Sequence, residues 1–215
     1  MAQKELDPHI LETVEPIYRE AVLRGGLSTI KPGSGKCWLA GGKELPSEQS
    51  KNIKLGKFGE KWFSALVARA KHLEILPHGI VSGIIPGKKK DIDLLFRNPS
   101  KKIVYYYELK LNINLDTEKL PATIEKVKMI EEYLKKEYPE YQIKSAILNW
   151  SVYSKKDYEK DKDRSPYISK IAKFKSEGCS IEFPEDFVKI ADYQQLTEQQ
   201  FWLLGPHLNC LGATV

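Results

Sequence analysis

The sequence predicts an α/β fold in which helices alternate with strands. Three observations carry this. Two apolar, β-prone runs, 91–96 and 103–111, flank the turn Asn98-Pro99-Ser100-Lys101 and read as a hairpin. Segments with apolar residues at helical spacing precede and follow that hairpin. A further apolar run, 145–153, with Ala146-Ile147-Leu148 at its heart, comes after the second of those helices. A length of 215 residues fits one domain spanning 1–215, and no internal repeat divides it. Hydrophobic residues make up 41% and charged residues 29%, which is enough apolar material for a sizeable core.

Taken in order, 8–23 reads as a helix, with Ile10, Leu11, Val14, Ile17, Tyr18, Ala21 and Val22 at helical spacing and Gly25-Gly26 as its stop. Residues 25–52 are rich in Gly, Pro, Ser and Lys and read as a long irregular loop. A second helix is predicted over 55–72, with Phe58, Trp62, Leu66 and Ala70 along one face and Glu60 as its acid in the first turns. Residues 75–85 read as an extended segment broken by Gly79 and Gly83, and Gly87-Lys88-Lys89-Lys90 as a basic turn. The hairpin follows. A polar stretch, 112–117, then leads into a long helix that Pro139 ends. After the 145–153 strand, 155–164 reads as a solvated charged loop and 165–176 as a helix. Residues 179–183 read as a strand, and 186–188 and 194–204 as short helices.

The net charge of +5 fits an anionic partner without requiring one. Cys37, Cys179 and Cys210 are odd in number, far apart and without a Cys-x-x-Cys pair. That argues against a zinc ribbon or disulfide framework and for a reducing, cytoplasmic setting. The N-terminus lacks the apolar core of a signal peptide, and no apolar run approaches the ~18–20 residues of a membrane span. Pro32-Gly33-Ser34-Gly35-Lys36-Cys37 superficially suggests a phosphate-binding loop. Ile30 stands where its first Gly belongs and Cys37 where its magnesium-binding Ser/Thr belongs, so nucleotide hydrolysis there is rejected.

The chemistry is concentrated in the hairpin. The run Lys90-Asp91-Ile92-Asp93-Leu94-Leu95-Phe96 carries acid, and Ile103-Val104-Tyr105-Tyr106-Tyr107 continues into Glu108-Leu109-Lys110. Side chains alternate with period two along a strand, so Glu108 and Lys110 share a face. If the runs pair, Asp93 reaches that face too. Two carboxylates and an ammonium at one spot can hold a divalent metal and activate water against a phosphodiester. Magnesium takes hard oxygen ligands: Asp93, Glu108 and, as a neutral donor, the Leu109 carbonyl. Lys110 would orient or deprotonate the attacking water. A lone Glu-x-Lys is a common cross-strand salt pair. Here the apolar run before it predicts a buried central strand, where a charged pair needs a reason.

This pattern resembles the PD-(D/E)XK nuclease superfamily over roughly 55–153. In that family a Glu-bearing helix precedes a strand with Asp, a second strand carries Glu-x-Lys, and a helix and further strand complete the core. The resemblance implies a restriction-endonuclease-like core, a central mixed β-sheet flanked by helices. Residues 1–54 and 154–215 would then be appendages of one nuclease domain. Glu60, in Gly56-Lys57-Phe58-Gly59-Glu60, matches the first-helix acid and would be an accessory metal ligand. Asp93 matches the motif Asp, although Ile92 stands where many members have Pro. Asp91 is its rival, since period two puts both on one face; the Lys88–Lys90 turn beside Asp91 favours Asp93.

The segment after Glu-x-Lys resembles the corresponding segment of some type II restriction endonucleases. Asn112, Asn114, Thr117 and Lys119 would contact bases or phosphates, while Asp116 or Thr117 also reads as a helix N-cap. The resemblance thus implies a magnesium-dependent enzyme cutting double-stranded DNA at a short sequence. It would act as a two-fold homodimer or as the cleavage subunit of a heterodimer. The alternatives are a structure-directed repair or recombination nuclease and a DNA-binding protein with a degenerate core. The scattered His9, His72, His78 and His207 read as surface or packing residues.

Overall fold

The computed structural model describes residues 8–20, 48–85, 88–110, 119–150, 168–192 and 204. Helix α1 is Pro8–Tyr18 and α2 is Glu48–Arg69. Strands β1 (Glu74–Ile75), β2 (Gly79–Ile85), β3 (Lys88–Ile92), β4 (Leu94–Asn98) and β5 (Ile103–Lys110) follow. Helix α3 (Lys119–Glu137), β6 (Gln142–Asn149), α4 (Ile168–Ser176), β7 (Ser180–Glu182) and α5 (Pro184–Ala191) complete the described elements. The fold is α/β. Its central sheet has five strands in the order β1-β4-β5-β6-β7. The sheet is mixed: β1, β4 and β5 pair antiparallel, while β5, β6 and β7 pair parallel. No helix among the described residues is long and apolar enough to cross a membrane.

Strand alternation divides the side chains between two faces. Tyr105, Tyr107 and Leu109 of β5 join Leu94, Phe96, Ala146, Leu148 and Trp150 in a core with α1, α2 and α5. Val104 and Tyr106 of β5 join Leu95, Ile147 and the apolar stripe of α3 in a second core, which includes Phe174 of α4. Both faces of β5 are therefore covered by helices, as expected of a parallel-paired central strand. Helix α2 is anchored by rings. Phe58 meets Tyr18 of α1 edge-on at 5.5 Å, and Phe63 meets Trp150 at 5.9 Å and Phe187 of α5 at 5.0 Å. The hairpin turn after β4 forms as its sequence predicts, with Lys101 N–H donating to Asn98 Oδ1 at 3.0 Å.

Several expectations are corrected. Helix α2 begins at Glu48, inside the stretch read as loop, so Glu60 lies beyond its first turns and Glu48 is a second acid. The polar run from Glu48 to Lys54 has no apolar stripe, but its Glu, Gln and Lys residues are good helix formers. Lys88, Lys89 and Lys90 form strand rather than turn: β3 pairs antiparallel with β2 in a separate two-stranded sheet. A ribbon off the main sheet tolerates lysines, and Lys89 is exposed there. Gly79 and Gly83 adopt φ of 84° and 93°, and the β2–β3 register shifts between Ser82 and Ile85 beside Gly83. The run 91–96 is not one strand, because the chain bends at Asp93 between β3 and β4. Strand β6 starts at Gln142, ahead of the predicted 145. Helix α5 is longer than the predicted 186–188; Asp186 reaches back to accept the Phe183 N–H at 3.2 Å. The expected elements over 25–47, 112–117, 155–164 and 194–203 lie outside the described residues.

Candidate functional site

Strand β5 ends in Glu108-Leu109-Lys110, and alternation continues the α3-side row of Val104 and Tyr106 through Glu108 to Lys110. Glu108 is only 2% exposed in the middle of the sheet. Burying such a carboxylate costs several kcal/mol unless donors surround it. Three do. Lys110 Nζ lies 2.7 Å from Oε1, and Lys126 Nζ lies 2.6 Å from Oε2. The Tyr106 hydroxyl donates to Oε2 at 2.9 Å. Burial pushes the Glu108 carboxyl upward, but Lys110 and then Lys126 reverse this and hold it below its ordinary range.

Asp93 reaches the same place by leaving the sheet. The β4–β5 ladder begins at Leu94↔Tyr107, so Asp93 stands one step past its end, opposite Glu108. Its Oδ2 accepts the Leu109 N–H at 2.9 Å, a side-chain acceptor where the antiparallel ladder has stopped. Its Oδ1 lies 3.3 Å from Lys126 Nζ. The Asp93 carboxyl is raised to about 6, first by burial and then by Glu108, against the pull of Lys126, Lys110 and the Leu109 N–H. Leu109 thus gives its N–H to Asp93, while its side chain packs in the α2-side core.

Glu60 belongs to the same electrostatic cluster. It is half-buried on α2, and its carboxyl is raised to about 7 by burial, then by Asp93 and Asp91; Lys57 and Lys126 pull the other way. Gly59, just before it, is required by packing: a Cβ there would lie 2.3 Å from Cζ2 of Trp150. Trp150 in turn donates its backbone N–H to the Lys110 carbonyl at 3.0 Å. The Gly59–Trp150 contact therefore fixes the Glu60 turn of α2 against the end of β5.

The strand break separates the two aspartates. Asp91 is exposed in β3, in register with Ile80, whereas Asp93 is half-buried and contacts Lys126 and the Leu109 N–H. Both aspartates still act on Glu60, so Asp91 remains close to the cluster while Asp93 makes its direct contacts. Lys119 opens α3 and is exposed, while Asn112, Asn114 and Thr117 lie outside the described residues. His9, His72 and His78 sit elsewhere: His72 meets the Ile190 carbonyl at 3.0 Å and His78 the Leu76 carbonyl at 2.8 Å.

Lys126 is the member that sequence reasoning missed. It lies on α3, three residues after Thr123 and four before Ile130, both buried, so it falls on the inward stripe of that helix. A lysine at such a position requires a buried counter-charge, and that requirement was the available signal.

Among the described residues, no three of His, Cys, Asp and Glu stand close enough to form a ready-made metal cage. The donor set still fits magnesium, which keeps most of its waters and takes one or two protein carboxylates. Asp93 and Glu108 offer hard oxygens side by side, with a cationic nitrogen already lodged between them. No protein-family model, no curated protein and no solved structure matches this chain.

Proposed function

We propose that this chain is a magnesium-dependent nuclease of the PD-(D/E)XK type that hydrolyses phosphodiester bonds of double-stranded DNA. One observation carries the reading. Asp93 and Glu108 stand together near the carboxyl end of the central strand, with Lys110 on Oε1 of Glu108. The element order supports it. A Glu-bearing helix, an Asp-bearing hairpin, a Glu-x-Lys strand, a helix and a parallel strand follow one another as the superfamily core requires. The carboxyl end of a parallel-paired strand is also where α/β folds place ligands.

Asp93 and Glu108 would hold the metal, with the Leu109 carbonyl as a further donor and Glu60 as an accessory acid beside them. When bound, the metal supplies Lewis-acid polarisation of the phosphate and a water acidic enough to ionise near neutral pH. The protein contributes position. Glu108 fixes the Lys110 ammonium at 2.7 Å, so that Lys110 can orient the attacking water and neutralise charge that develops on phosphorus-bound oxygen. Tyr106 locks the Glu108 carboxylate from the core side.

Within that chemistry the reading extends to a cytoplasmic type II restriction endonuclease, a homodimer cutting both strands of a short site, or the cleavage subunit of a heterodimer. Incubating the protein with long double-stranded DNA, with magnesium and with EDTA, tests it. Discrete fragments that require magnesium support a sequence-specific enzyme. A magnesium-dependent smear moves the reading to a shape-directed nuclease. Intact DNA at every magnesium concentration, alone and with cell extract, leaves a DNA-binding protein with a silent core.

A further inference from the structure

Lys126 occupies an unusual place. Its ammonium sits between two carboxylates, one on β5 and one at the bend between β3 and β4, 2.6 Å from Glu108 Oε2 and 3.3 Å from Asp93 Oδ1. Its side chain is 20% exposed and that of Glu108 3%, so water does little of the work of neutralising them. Asp93 and Glu108 are also the two carboxylates that would hold a metal at this site. An ammonium and a dication cannot share that space, because like charges a few ångströms apart repel strongly where solvent is scarce.

We propose that Lys126 is a built-in competitor of the metal. It holds Asp93 and Glu108 together in the metal-free protein and gives up both carboxylates when a divalent ion binds. The inference rests on the metal-dependent reading of the site and adds a residue that the Asp and Glu-x-Lys motifs do not include. The side chain suits the task. A lysine carries a compact charge on a flexible four-carbon stem, so it can leave without moving α3. Lys110 is differently placed: it holds Oε1 of Glu108, not the Asp93-facing side, and need not move. The chain would thereby hold a preformed pair of carboxylates without paying their full mutual repulsion, at the expense of weaker metal binding.

The test is manganese binding to the purified protein, read by electron paramagnetic resonance of free Mn2+, for wild type, K126M, K126Q and K135M. Lys135 lies on the same helix but pairs with Glu131 and Glu132 on the surface, so K135M controls for net charge. The expected result is manganese binding several-fold tighter in K126M and K126Q than in wild type, with K135M like wild type. K126M and K126Q should also melt lower than wild type in EDTA and regain most of the loss with manganese. K126Q keeps a polar head and remains informative if the methionine variant does not fold. Wild-type binding that is matched or weakened in both Lys126 variants overturns the competitor role while leaving the metal reading intact. Absence of binding in wild type and in both variants overturns the metal reading itself, and the competitor role with it. Binding in the variants alone is the strongest support.

Discussion

Gly59 and Trp150 are packed so closely that the six-membered ring of the indole fills the space a side chain on Gly59 would need. Three ring atoms lie within 2.3 to 3.0 Å of where a Cβ would stand. The ring is fully buried and wedged against Phe58 and Phe63, so it has no free direction to yield.

Gly59→Ala is therefore expected to destabilise the protein, although Ala is the better helix former by about 1 kcal/mol. Overpacking a rigid core typically costs about 1–3 kcal/mol, which outweighs that gain. Urea denaturation measures the difference. Because the contact seats Glu60 and, through Trp150, the Lys110 carbonyl, the folded variant should also cleave more slowly. A Gly59→Ala protein at least as stable as wild type would remove the packing explanation for this glycine.

Asp93 and Glu108 should respond in opposite ways to neutralisation. Glu108 is held charged by Lys110 and Lys126, so Glu108→Gln leaves Lys110 without its carboxylate and Lys126 with Asp93 alone in a poorly solvated place. Breaking a buried pair in this way costs on the order of 3–5 kcal/mol. Asp93 is pushed up to about 6 by burial and by Glu108, so Asp93→Asn removes a carboxylate the site resists ionising. Its metal-free stability should stay level or rise. Both variants, and Lys110→Met, should lose cleavage. Thermal melts in EDTA beside a cleavage assay check the contrast; equal stability losses in Asp93→Asn and Glu108→Gln would count against it.

The pH dependence of the metal-free protein follows from the same charges. Glu60 is raised from its ordinary value of 4.5 to about 7, and Asp93 from 3.8 to about 6. A carboxyl whose folded value is raised contributes stability below its unfolded value and loses it as pH rises through the folded one. The contribution of these two groups to melting temperature in EDTA should therefore fall between about pH 4 and pH 7, and Glu60→Gln should flatten the upper part of that fall. Comparing the two proteins cancels every group they share. Parallel curves for wild type and Glu60→Gln would show that Glu60 does not feel the site.

Much of this arrangement is legible in the sequence because it is local. Alternation alone puts Glu108 and Lys110 on one face, and the turn at 98–101 alone brings Asp93 to them. What is not legible depends on partners distant in sequence. Lys126 looks like any helix lysine until α3 is laid against β5. The bend at Asp93 becomes visible only once the Leu109 N–H is seen to take the Asp93 carboxylate. The Lys88–Lys90 run looks like a turn because its charges obscure a strand whose pairing is supplied by β2.

Tyr106 and Tyr107 offer the sharpest separation of site from scaffold. They are neighbours in β5, both essentially fully buried, and each hydroxyl donates to a carboxylate. Period two sends them to opposite faces: Tyr106 to Glu108, Tyr107 to Glu182 of β7. Removing a hydrogen bond to a charged acceptor costs about 1.5–3 kcal/mol, so Tyr106→Phe and Tyr107→Phe should lose comparable stability. Their effects on function should diverge. Without the Tyr106 hydroxyl, Glu108 is steered only by its two lysines and can rotate away from Asp93, so cleavage should slow and the magnesium requirement should rise. Glu182 lies on the other face of the sheet, so Tyr107→Phe should cleave at the wild-type rate once folded. Magnesium titrations of cleavage, run below both melting temperatures, measure this. Equal slowing in the two variants would mean that the Tyr106–Glu108 bond supports the fold and not the site.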